Sequence, residues 1–259
     1  MKRILSAAAL LLSIGTVSAQ TTGDRLEPSR ALAEDLFYRF HYADAAQMYR
    51  ELLAADSTNF SLLTRLSESW NFRGLDLQSQ AKKDSAEVAF ERSVRYAEQT
   101  RRHHADSAMT YVNLAAAYGD LALFRGGKAK VHIGREVKRF CEQALRIDST
   151  NVVALTILGV FNRELSKLSW IQRLVAKTVY GGLPEGSIEM SVEFLEKALK
   201  VDSTALFPNY SLAVTYRRMK EEEAALAQLE KVLTLQPGNS EEARYRDNAA
   251  AWLAEAGAK

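Results

Sequence analysis

Few side chains in this sequence could do chemistry, and none falls at the spacing that chemistry would need. A zinc site on a helix uses two histidines four apart, so that both imidazoles share one face. His103 and His104 are instead adjacent, and adjacent residues on a helix point apart, so the pair reads as a solvated linker. Cys141 is the only cysteine, which leaves no paired-cysteine metal motif and no disulfide framework. It lies on an apolar stripe between Val137 and Ala144, where a small buried thiol is expected. The stretch Arg125-Gly126-Gly127-Lys128-Ala129-Lys130 has the look of half a phosphate loop. It lacks the earlier glycine and the hydroxyl after the lysine that such a loop uses to cradle phosphate. Ser79-Gln80-Ala81-Lys82 fits a Ser-x-x-Lys pattern, but it lies in a polar stretch and no Lys-Thr-Gly companion exists, so it reads as chance. Glu221 to Glu223 follow Arg217 and Arg218, the mixture of a solvated helix face. No catalytic residue, cofactor or metal is assigned, and the chain is expected not to be an enzyme.

What the sequence does organise is helices. From Leu206 to Pro237 two amphipathic segments are joined by a turn. The first carries Leu212, Ala213 and Tyr216, the second Ala225, Leu229 and Val232, at the steps of three and four that bury one helix face. Ala213 and Ala225 are small enough for the two axes to approach closely. Pro237 stops the second helix, and Gly238 and Asn239 suit the turn after it. The closing turn recurs as Asp56-Ser57-Thr58-Asn59, Asp148-Ser149-Thr150-Asn151 and Asp202-Ser203-Thr204-Ala205. Such side chains favour these sites because they accept hydrogen bonds from the free N–H groups that open the next helix. Asp202 and Gln236 are 34 residues apart, while the other two intervals are longer, at 54 and 92. The chain is therefore a repeat array with insertions.

In a chain of 259 residues, 34 basic and 32 acidic side chains give a formal charge of +2. Both excess charges are Lys2 and Arg3. They precede an apolar run from Ile4 to Ile14 and a small-x-small sequence, Val17-Ser18-Ala19, before Gln20. That order predicts a secretory signal peptide over residues 1–19, cleaved before Gln20. The mature chain would be exported, periplasmic or secreted, and no cysteine follows the apolar run to make it a lipoprotein. It would also be neutral, without a general attraction to nucleic acid or anionic membrane. Residues 20–29 read as a polar lead-in and 30–259 as a single α-helical repeat domain.

Along that domain the first unit carries Leu32, Ala33 and Leu36, then Ala45, Tyr49 and Leu52, with His41-Tyr42 at its turn. In the second unit Gly74 to Ser85 is expected to lengthen the connection between its helices. Arg125 to Lys130 reads as a basic connection inside the third. In the fourth, apolar residues continue through Leu165, Leu168, Ile171, Leu174 and Val175, which predicts a first helix extended to Tyr180 and stopped by Gly181-Gly182 and Pro184. Ser240 to Ala256 is a last helix that would cover the exposed face of the final pair. Three stretches, 74–85, 125–134 and 165–184, stand as insertions.

The unit resembles a tetratricopeptide repeat in length and in its order of small and large residues. The resemblance implies an all-α fold, a right-handed α-solenoid of about five helix pairs with insertions and a C-terminal capping helix. The run Lys138 to Ala144, Ile147-Asp148, Leu158-Gly159, Leu168-Ser169-Trp170, Arg173, Ala176 and Gly182-Leu183-Pro184 is similar to the regulator of microtubule dynamics family, over roughly Ala86 to Leu253. The N-terminal unit resembles only the generic repeat. Animal members of that family are linked to microtubules and to contacts between organelle membranes. A chain with a bacterial-looking signal peptide departs from that setting, so the resemblance implies the scaffold and not the microtubule role.

In tetratricopeptide proteins the first helix of each pair lines the concave side, and its ligand-facing positions lie away from the packing stripe. Carried over, they are Met109, Val112, Asn113 and Ala116, then Val153, Thr156, Val160 and Arg163, then Phe207, Tyr210, Val214 and Arg217. The lysine and asparagine clamp some members use for a C-terminal carboxylate is absent. This groove would be apolar, with arginines at one end. The expected function is a scaffold that binds a protein or peptide there. Two alternatives stand beside it: a carrier of lipid or a small apolar ligand, and a membrane-associated scaffold seated by Leu168 to Tyr180. An ordinary core, with the insertions folded over these residues, is the competing structural reading.

Overall fold

The computed structural model describes residues 17–167 and 186–257, with backbone alone for 17–26 and 127–132. Among these residues there are eleven helices and no strand. They are α1 (Val17–Tyr38), α2 (Tyr42–Leu53), α3 (Phe60–Ser79), α4 (Lys83–His103), α5 (Ala108–Arg125) and α6 (Gly127–Ile147). After them come α7 (Val152–Ser166), α8 (Ile188–Val201), α9 (Leu206–Met219), α10 (Glu222–Thr234) and α11 (Ser240–Gly257). Successive helices pack as antiparallel pairs, and the first helices α3, α5, α7 and α9 also touch one another in order along one side.

The recurrent Asp-Ser-Thr sequence makes the turn between pairs for a local reason. Asp148 Oδ1 accepts from the Thr150 N–H at 3.0 Å and from its hydroxyl at 2.7 Å, and Asp202 does the same with Thr204 at 2.8 and 2.7 Å. Asn151 then caps α7, its Oδ1 accepting from Ala154 N at 3.0 Å, and Asn59 caps α3 through Leu62 N at 3.1 Å. These hydrogen bonds hold the carboxyls of Asp56, Asp148 and Asp202 below the usual range.

The turns within pairs follow a second rule. Phe40, Ala81, Gly126 and Lys220 all have left-handed φ, between 60° and 67°. After α1, α3 and α9 the same two hydrogen bonds recur: Phe40, Ala81 and Lys220 donate to the carbonyl three residues back, and the next residue donates to the carbonyl five back. That is a Schellman stop, normally the place of a glycine.

This rule corrects two expectations. Gly74 to Ser85 is no extended connection: α3 runs through to Ser79, three residues turn, and α4 begins at Lys83. Gly74 is where the pair meets, since a Cβ there would lie 2.6 Å from the Phe90 ring. Likewise Arg125 to Lys130 is almost all helix, because Gly126 alone separates α5 from α6. The predicted extension of α7 to Tyr180 falls largely on residues 168–185, outside those described. Ala213, Ala225 and Cys141 are fully buried where the stripes placed them.

α11 covers the last pair as expected, with Ala249, Trp252 and Leu253 packed near Leu206, Leu229 and Val232. It also crosses to the start of the array. Ser240 N donates to Tyr42 Oη at 2.9 Å, Ser240 Oγ to Asp76 Oδ1 at 2.8 Å, and Arg244 reaches the Leu75 carbonyl and Asp76. The concave side is thereby bridged by the chain's own last helix.

Candidate functional site

Between the first helices and α11 lies a cavity of about 380 Å³. Each wall is one face of a helix. On α5 the lining positions include Met109, Val112, Asn113, Ala116 and Asp120, at helical steps of three and four. α7 contributes Val153, Thr156 and Val160, the start of α9 contributes Phe207, and α3 contributes Asn71, Phe72 and Leu75. The fourth side is α11, through Glu241, Glu242 and Tyr245. Aliphatic and aromatic side chains make most of the surface, as in small-ligand sites of this size.

Eight of the twelve residues expected in the groove line this cavity: Met109, Val112, Asn113, Ala116, Val153, Thr156, Val160 and Phe207. The other four are not among its lining. Arg163 lies one turn beyond Val160, where its guanidinium donates to the Ser211 carbonyl at 2.8 Å and ties α7 to α9. Tyr210 stacks on Tyr245 with ring centroids 4.4 Å apart. The Arg217 guanidinium sits 4.1 Å over the Trp252 ring. Val214 is half-buried on α9. Two of the four, Tyr210 and Arg217, thus hold α11 in place.

The polar part of the wall is acidic. Glu68 pairs with Arg65 at 3.0 Å, Glu241 pairs with Arg244, and Glu242 accepts from the Gly238 N–H at 2.7 Å. Asp120 has no ion pair among the described residues; its one hydrogen bond there comes from Asn71 Nδ2 at 2.7 Å. Burial pushes its carboxyl up to about 6, against the pull of the Asn71 bond and with a further push from the Glu241 charge. Glu242 is also raised by burial, as is the Tyr245 phenol. Asn71 and Asn113 are only 7% and 6% exposed. Asn71 Oδ1 and Asn113 Nδ2 have no hydrogen-bond partner among the described residues. Buried polar atoms are nearly always paired, so the Asn71 Oδ1 orphan beside the Asp120 carboxylate marks this pole of the cavity.

Asn71, Asp120 and Tyr245 were not singled out from sequence. Asp120 continues the Met109–Ala116 face by one more turn, so extending that face would have found it. The Asn71–Asp120 contact spans 49 residues and leaves no local signal. Among the described residues no group of three His, Cys, Asp or Glu is arranged to hold a metal, and no helix is long and apolar enough to cross a membrane. The cavity lining has acceptors and apolar surface without a histidine or cysteine.

Comparison with known proteins fits this architecture. A family model described as regulator of microtubule dynamics protein 1-3 matches residues 32–257. The match takes in the first helix pair, which residue patterns alone assign only to the generic repeat. The chain is 22% identical to regulator of microtubule dynamics protein 1 of Mus musculus over 218 residues, 83% of this chain and 70% of that one. Against the Bos taurus protein of the same name it is 22% identical over 222 residues, 85% and 69% of the two chains. Among solved structures it resembles a thermophilic TPR protein of Thermus thermophilus, with a TM-score of 0.61 and 14% identity over 87% of this chain and 99% of that one. The last likeness is one of fold.

Proposed function

The chain belongs to the regulator of microtubule dynamics family, and from that premise we propose that it is a non-enzymatic scaffold of tetratricopeptide type. It takes a short segment of a partner protein into the cavity between its concave helices and α11. The observation that carries this reading is the cavity itself, about 380 Å³ and mostly apolar, on the side of the array where the first helices face one another. Because α11 bridges the groove, the occupant is a few side chains and not a long extended peptide. The N-terminal sequence, Lys2-Arg3 before an apolar run and Val17-Ser18-Ala19, supports export to the periplasm or beyond.

A photo-crosslinking residue at Val160 tests the reading, with one at the exposed Lys200 as control. Crosslinks to one polypeptide from Val160, absent from Lys200, are expected. Equal labelling from both positions would overturn it. A second reading, a carrier of a small apolar ligand, is favoured by the apolar lining of the cavity and its size, within the range of small-ligand sites. Native mass spectrometry of the mature chain separates the two. A bound small molecule moves the carrier forward, and a bare chain that crosslinks from Val160 keeps the scaffold.

A further inference from the structure

We propose that the acidic pole of the cavity is a subsite for a protonated amine, formed by Asp120 with the side-chain amide of Asn71. The ligand is an organic ammonium on an apolar body. A lysine side chain of a partner segment and a free amine share that chemistry. The inference rests on the reading of the cavity as the binding site and adds the charge of what enters it.

Asp120 has no cation among the described residues, and no lysine or arginine appears among the cavity-lining residues. Arg65 and Arg244, which pair with the wall residues Glu68 and Glu241, are thereby already engaged, Arg244 also by Asp76. A half-buried carboxylate without a counter-charge carries a desolvation cost, and a bound cation is the partner that removes it. The orphan acceptor fits the same guest. Asn71 Oδ1 is a buried acceptor without a donor, beside the carboxylate that Asn71 Nδ2 already holds at 2.7 Å. An ammonium carries three N–H donors and no acceptor. Two of them satisfy Asp120 Oδ1 and Asn71 Oδ1. An anion would meet Asp120 and Glu242 instead, neither of which has an ion pair among the described residues. The apolar remainder, with Val112, Val160 and Phe207, covers the body of the ligand. At roughly 30 Å³ for each water-sized volume, the space suits about a dozen non-hydrogen atoms.

Three probes of matched length and different charge test the assignment without any variant: octylammonium, octanol and octanoate, titrated calorimetrically into the mature chain. Octylammonium is expected to bind about 10- to 100-fold more tightly than octanol, as for a charge-assisted hydrogen bond in a buried site, and octanoate least. Asp120→Asn should bring octylammonium to the affinity of octanol, with the thermal melt confirming that the variant is folded. Val160→Trp should block all three by filling the space. An end-blocked Leu-Lys-Leu peptide against its norleucine counterpart identifies the source: preference for lysine points to a partner segment, and binding of octylammonium alone to a free amine. Octanoate binding as tightly as octylammonium, or an unchanged preference in Asp120→Asn, would overturn the amine subsite while leaving the cavity as a binding site. If none of the probes or peptides binds, the cavity reading fails and the subsite with it.

Discussion

Asp120→Asn should make the empty protein more stable, not less, and should do so only above mildly acidic pH. In the folded chain burial moves the Asp120 carboxyl from an ordinary 3.8 up to about 6. A raised acid binds its proton more tightly folded than unfolded. Below about pH 4 both states are protonated, and the group costs nothing. As pH rises from about 4 to 6 the unfolded chain releases its proton first, so stability falls, and above about 6 the loss is complete. Roughly two units at about 1.36 kcal/mol each put that loss near 3 kcal/mol. The introduced amide has no charge to desolvate, and its oxygen can still accept the hydrogen bond from Asn71. The gain at neutral pH is therefore expected at about 2–3 kcal/mol, or about 5–10 °C in Tm for a chain of this size. Urea midpoints of both proteins at about pH 4, 5, 6 and 7.5 measure it. The other shifted carboxyls, lowered at Asp56, Asp148, Glu189, Glu193 and Asp202 and raised at Glu68, Asp76 and Glu242, act in both proteins and cancel in the difference. Midpoints should coincide at the acid end and separate towards neutrality. A variant that is less stable at pH 7.5, or a difference that does not change with pH, would refute the argument, because then Asp120 is not an unneutralised buried charge. A residue that lowers stability where it lines a cavity is what a binding role predicts.

Two glycine-to-alanine changes should have opposite signs. Gly159→Ala is expected to cost about 1–2 kcal/mol, because its Cβ would sit 2.6 Å from Leu195 Cγ and 3.2 Å from the Ser191 carbonyl. Gly119→Ala should gain about 0.5–1 kcal/mol, since the new methyl meets only Val137 at 3.9 Å and the helix loses a flexible residue; thermal denaturation of the pair checks both. Lys220→Gly should also stabilise, by about 0.5–1 kcal/mol, by relieving a left-handed residue at an exposed Schellman stop, read as a higher urea midpoint. Cys141 is fully buried and its thiol is pushed up by desolvation. It should resist a thiol-specific chromogenic reagent in buffer and react at once in denaturant.

The helix pairs and the turns between them were legible because their causes are local. Asp148, Thr150 and Asn151 bond to one another and to the next helix within a few residues, so the sequence alone displays the turn. The turns inside the pairs were hidden for an equally physical reason. Three of their four left-handed positions carry Phe40, Ala81 and Lys220, so glycine, the usual sign of such a stop, is missing. Gly74 misled in the opposite sense: it marks a close crossing with Phe90 and not a loop. For the site, α-helical periodicity found the apolar walls on α5, α7 and α9. The acidic pole needed contacts such as Asn71 to Asp120, which no periodicity encodes.

The bridging of the array by α11 changes what the repeats can do. In an open solenoid each pair answers only to its neighbours. Here Ser240 and Arg244 tie the last helix to Tyr42 and Asp76 in the first and second pairs. The two ends of α11 are held unequally. Toward α9 and α10 it buries Ala249 fully, stacks Tyr245 on Phe207 and Tyr210, and places Trp252 under Arg217. Toward α3 it is held by the neutral Ser240–Tyr42 hydrogen bond, about 1 kcal/mol, by the Ser240–Asp76 and Arg244–Leu75 bonds, about 1.5–3 kcal/mol each, and by the Arg244–Asp76 pair at 3.4 Å, partly exposed at both side chains; such pairs contribute about 0–1 kcal/mol. Detachment at α3 therefore costs less than undocking from the last pair. The weak seam lies beside Leu75, Glu241 and Glu242, which line the cavity. A ligand that enters there parts polar contacts that water can replace, and leaves the aromatic anchor of α11 intact.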